Sequence, residues 1–194
     1  MSCSSVMRIL TRNNTRVILM VGASVAVLGS MAFAAQDRFT LVEPNGVSFS
    51  DFKGYETWAP VAVSQVKESG MGSLKIIAAN PEMIKAYQDG VPGNGRPFPE
   101  GSKIAKIEWS QKKNPESPYE VSIPGTLKRV GFIEKDSRRF PETNGWGYAQ
   151  FTNDPATATF APEETDPAFG KEVCHACHTI VQTKDFIFTA YPQR

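Results

Sequence analysis

Residues 174–178 read Cys-His-Ala-Cys-His, and we expect the rest of the 194-residue chain to be organised around this pentad. Two thiols separated by two residues and followed directly by a histidine form the pattern of c-type haem attachment. In that pattern Cys174 and Cys177 add to the vinyl groups of a haem, and His178 ligates the iron. The pentad therefore predicts a haem site near the C-terminus, with the preceding residues forming the pocket.

The same Cys-x-x-Cys spacing has two other uses, as half of a zinc site or as a redox disulfide. Zinc would need further ligands, and the only other cysteine, Cys3, lies in a segment that we expect to be removed. His178, placed directly after Cys177, favours haem over both alternatives. His175 lies between the two thiols, and because the motif uses only the final histidine, we predict that His175 faces solvent.

The N-terminus has the features of a signal peptide over residues 1–34. Three arginines precede an apolar run at residues 17–28, and Ala-Phe-Ala at residues 32–34 is typical of a cleavage site. The apolar run is shorter than the ~20 residues that a membrane span needs, and an uncleaved anchor is the alternative. We expect export to the periplasm and a single haem domain over residues 35–194.

The charge balance bears on the class of partner. The sequence has 21 Lys and Arg against 20 Asp and Glu, and three of the arginines lie in the predicted signal, which leaves 18 basic residues and a net charge of about −2. Such a balance argues against nucleic acid as a partner. The remaining chain of about 160 residues is long enough for one domain with its own core.

Apolar alternation and short apolar runs predict five strands, at residues 61–66, 74–79, 103–109, 127–134 and 146–151. Cap-like residues predict helices at 50–58, at 80–89 and from Asp166 onward, where Asp-Pro is a typical helix start. Residues 153–165 are interpreted as an acidic loop. The fold class is α+β, an antiparallel sheet of about five strands with packed helices and the haem site near the C-terminus.

The ligand on the other side of the iron separates small-molecule chemistry from electron transfer. Two methionines follow the predicted signal, Met71 and Met83. Met83 falls on a predicted helix among apolar neighbours, which favours core packing. Met71 lies between two glycines and is a candidate sixth ligand. If neither methionine reaches the iron, the haem is five-coordinate, with the apolar residues 186–191 packed beside it.

Two further stretches accompany the pentad. They are Phe98-Pro99-Glu100-Gly101, followed after four residues by Lys106, and Lys135-Asp136-Ser137-Arg138-Arg139-Phe140. Together, from about Trp58 to Tyr191, the sequence resembles the cytochrome P-460 family, which includes hydroxylamine-oxidising cytochromes P-460 and the related cytochromes c′-β. The resemblance implies an antiparallel sheet with packed helices, usually a homodimer, and one five-coordinate haem c.

The resemblance also implies roles for three residues. In hydroxylamine-oxidising members a lysine is bonded to the porphyrin edge, and Lys106 matches that lysine. A solvated strand face shared by Lys106 and Glu108 is the alternative. Phe98 matches an aromatic residue that covers the open haem face, with simple core filling as the alternative. Lys75 stands where the hydroxylamine-oxidising type has an arginine, a departure at a possible outer-sphere position.

These features predict a haem oxidoreductase that oxidises hydroxylamine and passes electrons to a redox partner protein. Glu163, Glu164 and Asp166 are candidates for the base that accepts the protons, with a solvated acidic loop as the alternative. A protein of the cytochrome c′-β kind, which binds nitric oxide without turnover, is the second hypothesis. An electron carrier with Met71 as sixth ligand is the third.

Overall fold

The computed structural model describes residues 36–67 and 72–193. The predicted signal peptide at 1–34, together with Cys3 and Met71, lies outside the described residues. Within residues 36–67 and 72–193, no helix is long and apolar enough to cross a membrane.

One antiparallel sheet carries the domain, with its six strands paired in sequence order. The strands are β1 (Ala59–Val66), β2 (Ser73–Ala79), β3 (Lys103–Lys113), β4 (Ser122–Lys135), β5 (Trp146–Asp154) and β6 (Thr159–Pro162), and the helix α1 (Pro81–Gln88) connects β2 to β3. Each of the five predicted strands lies within an observed one, and the α+β class is confirmed. The described residues form one strand more than the five that were predicted.

The strand β6 was missed because it is short and lies at an edge of the sheet. It pairs with the last residues of β5, from Phe151 opposite Pro162 to Asp154 opposite Thr159. A proline is compatible with this position because an edge strand has an unpaired side. The interpretation of residues 153–165 as a loop is therefore wrong at 153–154, which end β5, and at 159–162, which form β6.

The predicted helix at residues 50–58 is also wrong. The chain forms two short 3₁₀ turns instead, Phe49–Phe52 and Tyr55–Thr57, and the cap of the first is Ser48. Gly54 separates the turns with a φ of 86°, a left-handed conformation that ends a helix and that glycine adopts without steric cost. By contrast, α1 begins as predicted, with the Asn80 side chain accepting from the Met83 amide at 3.1 Å.

The C-terminal helical segment begins later than predicted. The Asp166 carboxylate accepts from the Ala168 amide at 2.9 Å, a cap-like hydrogen bond, but the chain makes a turn at residues 167–168 before the helical segment. A π-helical stretch (Gly170–His175) is followed by an α-turn (Ala176–His178) and a 3₁₀ stretch (Thr179–Lys184). The Cys-His-Ala-Cys-His pentad therefore spans the junction between π and α geometry, a feature that often marks functional sites.

The two faces of the sheet carry two separate clusters of buried side chains. The first cluster, under α1 and the C-terminal segment, contains Val61, Ile77, Ala79, Met83, Ala86, Tyr87, Val91, Phe98, Ile104, Trp146, Tyr148 and Ile187. The second cluster, under the N-terminal 3₁₀ turns, contains Val47, Phe49, Phe52, Tyr55, Ala105, Val130, Phe132, Ala149, Phe151 and Phe160. The predicted alternation along β3 is confirmed, since Ile104 and Ala105 belong to opposite clusters.

Phe49 lies at the centre of the second cluster, fully buried, with ring contacts to Phe132 at 5.1 Å and Phe151 at 4.9 Å. We expect Phe49→Ala to lower the free energy of unfolding by about 3–5 kcal/mol, because truncation leaves a cavity among aromatic rings. Tyr119→Ala is the control, since that ring is 77% exposed and should change stability by no more than about 0.5 kcal/mol. Urea unfolding measures both, and equal losses would contradict the assignment of the core.

Candidate functional site

A cavity of about 480 Å³ lies between the first face of the sheet and the C-terminal segment, within the roughly 300–1,000 Å³ usual for sites that bind organic ligands. Its walls are mainly apolar. The lining residues are Ala62, Ser64, Ile77, Ile104, Lys106, Gly131, Phe132, Ile133, Tyr148, Ala149, Gln150, Phe169, Val173, Cys174, Cys177, His178, Ile187, Phe188 and Thr189. The sheet forms one wall, and the pentad forms the other.

Both cysteines of the pentad line the cavity as free thiols. Cys174 is half-buried and Cys177 is exposed. Burial raises the pKa of the Cys174 thiol to about 11, so the thiol is protonated and uncharged at neutral pH. The two thiols lie on one side of the cavity, which suits a flat ligand attached at two neighbouring points.

One ring nitrogen of His178 is hydrogen-bonded to the backbone. Its Nδ1 lies 2.5 Å from the carbonyl oxygen of Phe186, and because a carbonyl can only accept, Nδ1 carries the proton. The ring packs against Tyr148 at 5.0 Å and Phe188 at 4.9 Å. Burial lowers the pKa of His178, which favours the neutral imidazole. Nε2 therefore holds a lone pair, as a metal ligand requires.

The prediction that His175 faces solvent is wrong. His175 is 7% exposed, its Nδ1 lies 3.0 Å from the Tyr148 hydroxyl, and its Nε2 lies 3.1 Å from the Asn144 side-chain oxygen. Burial, with a smaller effect from the Lys135 ammonium, lowers the pKa of His175. The residue between the thiols thus points into the protein and joins the pentad to β5 and to the turn before it.

Lys106 enters the cavity from β3, opposite Gly131 of β4. A Cβ atom built on Gly131 would lie 3.2 Å from the Lys106 Cε, so the glycine leaves space along which the lysine side chain extends. Burial, followed by the positive charge of Lys75, lowers the pKa of Lys106. An amine with a lowered pKa is neutral, and so nucleophilic, at lower pH than a solvated lysine.

Glu108 shares this face of β3 and was not singled out as functional in the sequence. It is 5% exposed, and its carboxylate lies 3.5 Å from both Lys75 Nζ and Arg129 Nε. Burial alone would raise the pKa of Glu108, but the Ser73 hydroxyl and the two cations outweigh burial and hold it below its usual value. Lys75, the predicted outer-sphere residue, is therefore an ion-pair partner of Glu108 next to the cavity.

The three acidic candidates for the proton acceptor do not line this cavity. Glu163 binds the Arg129 guanidinium and accepts from the Thr152 hydroxyl at 3.1 Å. Glu164 and Asp166 line a small neighbouring cleft on the other side of Cys174. The role of distal base stays a prediction for each of them.

Phe98 and Met83 lie in the first core cluster rather than in the cavity wall. The Phe98 ring is 2% exposed and packs edge-on against Tyr87 at 5.0 Å and Trp146 at 6.1 Å. Met83 is fully buried, in agreement with its predicted role in packing. The structure therefore shows Phe98 filling the core, and its predicted role as a cover over the haem stays a prediction.

The residues present fit a haem. The cavity offers two neighbouring thiols, an imidazole with its Nε2 lone pair available, and apolar walls that suit a flat macrocycle. Within the described part of the chain, no group of three or more His, Cys, Asp or Glu side chains could hold a metal ion. One histidine together with a macrocycle needs no such group.

The comparison with protein families agrees with this chemistry. The family model for cytochrome P460 matches residues 52–189, a range that includes the cavity walls, Lys106 and the whole pentad. No curated protein matches the sequence. The matched family implies a haem cofactor and haem-based oxidoreductase activity.

The ionised Glu108 carboxylate should give a pH-dependent contribution to stability. We expect Glu108→Gln to lower the free energy of unfolding at pH 7 by about 1–3 kcal/mol, because Lys75 and Arg129 lose a buried charged partner. Since the folded pKa lies below the usual 4.5, this difference is present at neutral pH and is lost as the pH falls through the folded pKa. Denaturant unfolding from pH 7 to pH 3 measures it, and a difference that grows toward low pH would contradict the assignment.

Proposed function

Because the chain belongs to the cytochrome P460 family, we propose that it is a c-type haem enzyme that oxidises hydroxylamine. Cys174 and Cys177 would hold the haem through thioethers, and His178 would ligate the iron through Nε2. Each thioether forms when the S–H adds across a vinyl double bond, so no oxidant is needed.

The observation that carries the proposal is the position of Lys106. Its amine projects from β3 into the cavity that the pentad lines, with Gly131 leaving space beside it, and burial lowers its pKa. A neutral amine beside the macrocycle is the group required for a bond between the lysine nitrogen and the porphyrin edge. That bond would replace one N–H and one C–H, and the two hydrogen atoms removed would pass to an oxidant of the peroxide class.

When bound, the haem supplies an iron position for the nitrogen of hydroxylamine and a path for its electrons. The apolar walls disfavour water, and Ser64 and Gln150 are polar residues of the lining that are proposed to hydrogen-bond a small polar ligand. Oxidation of hydroxylamine to nitric oxide releases three protons and three electrons. The protons pass to an acidic residue near the cavity, for which Glu163, Glu164 and Asp166 are the candidates, and the electrons pass to a redox partner protein.

A second function is supported by the composition of the cavity. Its walls are largely apolar, with Ile77, Ile104, Ile133 and Phe188 among them, and such walls suit an uncharged diatomic gas. Nitric oxide bound at the iron without turnover is therefore the alternative. The same fold serves both activities, so the fold cannot decide between them.

We also propose where the protein is located and how it assembles. Residues 1–34 are proposed to direct export to the periplasm, where haem attachment takes place. The mature chain is proposed to act as a homodimer. Its near-neutral charge, about −2 once three signal arginines are removed from 21 basic and 20 acidic residues, agrees with a small nitrogen compound and a protein as partners, and argues against nucleic acid.

The bond to Lys106 can be tested by denaturing mass spectrometry of proteolysed holoprotein. We expect a haem peptide that joins the segment containing Lys106 to the segment containing Cys174 and Cys177. In Lys106→Ala the haem should remain on the cysteine segment alone, because the thioethers do not need the lysine. A wild-type haem peptide with two thioethers and no lysine link would contradict the hydroxylamine-oxidising version.

The same two proteins separate the enzyme from the gas binder. Purified wild-type protein should reduce an electron acceptor when hydroxylamine is added, and Lys106→Ala should lose most of this activity. Binding of nitric oxide by wild-type protein, with no hydroxylamine-dependent reduction, would instead favour the second function.

A further inference from the structure

The backbone immediately after the C-terminal helical segment has an unusual conformation. Asp185 and Phe186 are consecutive residues with φ values of 48° and 63°. Left-handed backbone is unfavourable for residues with a Cβ atom, and two in succession persist only where the surroundings hold them. Something in the fold must therefore fix this turn.

A buried ion pair helps to hold it, beside hydrogen bonds from the two backbone amides to carbonyls of the preceding helical segment at 3.1 Å and 3.2 Å. Lys135 Nζ lies 3.1 Å and 3.3 Å from the two carboxylate oxygens of Asp185, with side-chain exposures of 7% and 11%. The same carboxylate accepts from the Phe98 amide at 2.8 Å. Lys135 also donates to the Asn144 carbonyl at 2.9 Å and lies 4.8 Å from the Trp146 ring centroid. Asp185 is thus anchored at both oxygens.

The next residue is the one that contacts the proposed axial ligand. The Phe186 carbonyl oxygen accepts from His178 Nδ1 at 2.5 Å, and the Phe186 ring lies 4.7 Å from the ring of His175. Rotation of the backbone at Asp185 or Phe186 would turn this carbonyl away from the imidazole. The position of the hydrogen-bond acceptor therefore depends on the conformation that Asp185 anchors.

Both sequence stretches that accompany the pentad meet at this anchor. Lys135 belongs to one and Phe98 to the other, and the Lys135 amide and carbonyl bond to Ser102 and Gly101, each at 2.9 Å. Glu100 accepts from the Ser137 hydroxyl at 2.6 Å. Stretches far apart in sequence thus support the turn behind His178.

We propose that Asp185 is a positioning residue for His178. Its ion pair with Lys135 fixes the Phe186 carbonyl, which accepts a hydrogen bond from His178 Nδ1. A histidine that donates from its second nitrogen is a more basic ligand, and a more electron-rich axial ligand stabilises ferric iron. The inference rests on the proposed function, because it assumes haem ligated by His178. It identifies the ion pair between Asp185 and Lys135 as the contact that fixes the hydrogen bond on the Nδ1 side of His178.

Resonance Raman spectra of the ferrous holoprotein and redox titrations test the proposal. In Asp185→Ala we expect a lower iron–histidine stretching frequency and a higher midpoint potential than in wild type, because the hydrogen bond from His178 weakens. Asp185→Asn should shift both in the same direction but less, since asparagine tolerates left-handed backbone and can still accept from the Phe98 amide. These are properties that a loss of stability alone would not move.

Glu134→Gln is the matched control. It breaks a different set of buried ion pairs, with Lys103 at 3.3 Å and Arg139 at 2.7 Å. Glu134 precedes Lys135 on β4 and its side chain points to the opposite face of the sheet, so the frequency and potential should stay at the wild-type values. A wild-type frequency in Asp185→Ala, or an equal shift in Glu134→Gln, overturns the proposal. If Asp185→Ala does not fold, Asp185→Asn decides, and wild-type values in that variant overturn the proposal.

The wild-type spectrum separates this inference from the proposed function. If it shows no iron–histidine mode, the proposed ligation fails and the inference fails with it. If wild type shows the mode and the Asp185 variants leave it unchanged, only the inference fails.

Discussion

The structure depends on the alternation of side chains across one antiparallel sheet. Successive residues point to opposite faces. Ala105 and Phe132 therefore belong to the cluster of mainly aromatic side chains on one face, while Ile104 and Lys106 lie on the other. The buried aromatic side chains of that face contribute hydrophobic free energy to the domain. The opposite face can then carry a cavity of about 480 Å³ without leaving the sheet unsupported.

Charged groups near the cavity are tolerated in two different ways. Glu108 is buried with Lys75 and Arg129 beside it, so its charge is compensated. Lys106 is placed where burial and a neighbouring cation both disfavour its own charge. One strand face thus holds a stable ion-pair cluster and, two residues away, an amine with a lowered pKa, and the proposed chemistry uses the amine.

Local sequence patterns predicted the parts of the molecule that short-range chemistry determines. The sequence predicted the strands with period-two alternation, the Asn80 cap of α1 and the pentad of thiols and histidine. The structure places Cys174, Cys177 and His178 around one cavity. The burial of His175 could not be predicted from the local sequence, because it depends on Tyr148 and Asn144, which lie about 30 residues earlier. The Lys135–Asp185 pair joins residues 50 positions apart, and no local pattern signals such a contact.

In the proposed site, the cavity would hold a haem ligated by His178, with the other side of the iron free for a small molecule. The spin state of the resting ferric protein, read by electron paramagnetic resonance in wild type and in Met71→Ala, tests it most directly. We predict a high-spin, five-coordinate spectrum that is the same in both proteins and that changes when nitric oxide is added. A low-spin spectrum in wild type that Met71→Ala converts to high-spin would contradict it, because a methionine thioether would then fill the position that the proposed chemistry requires.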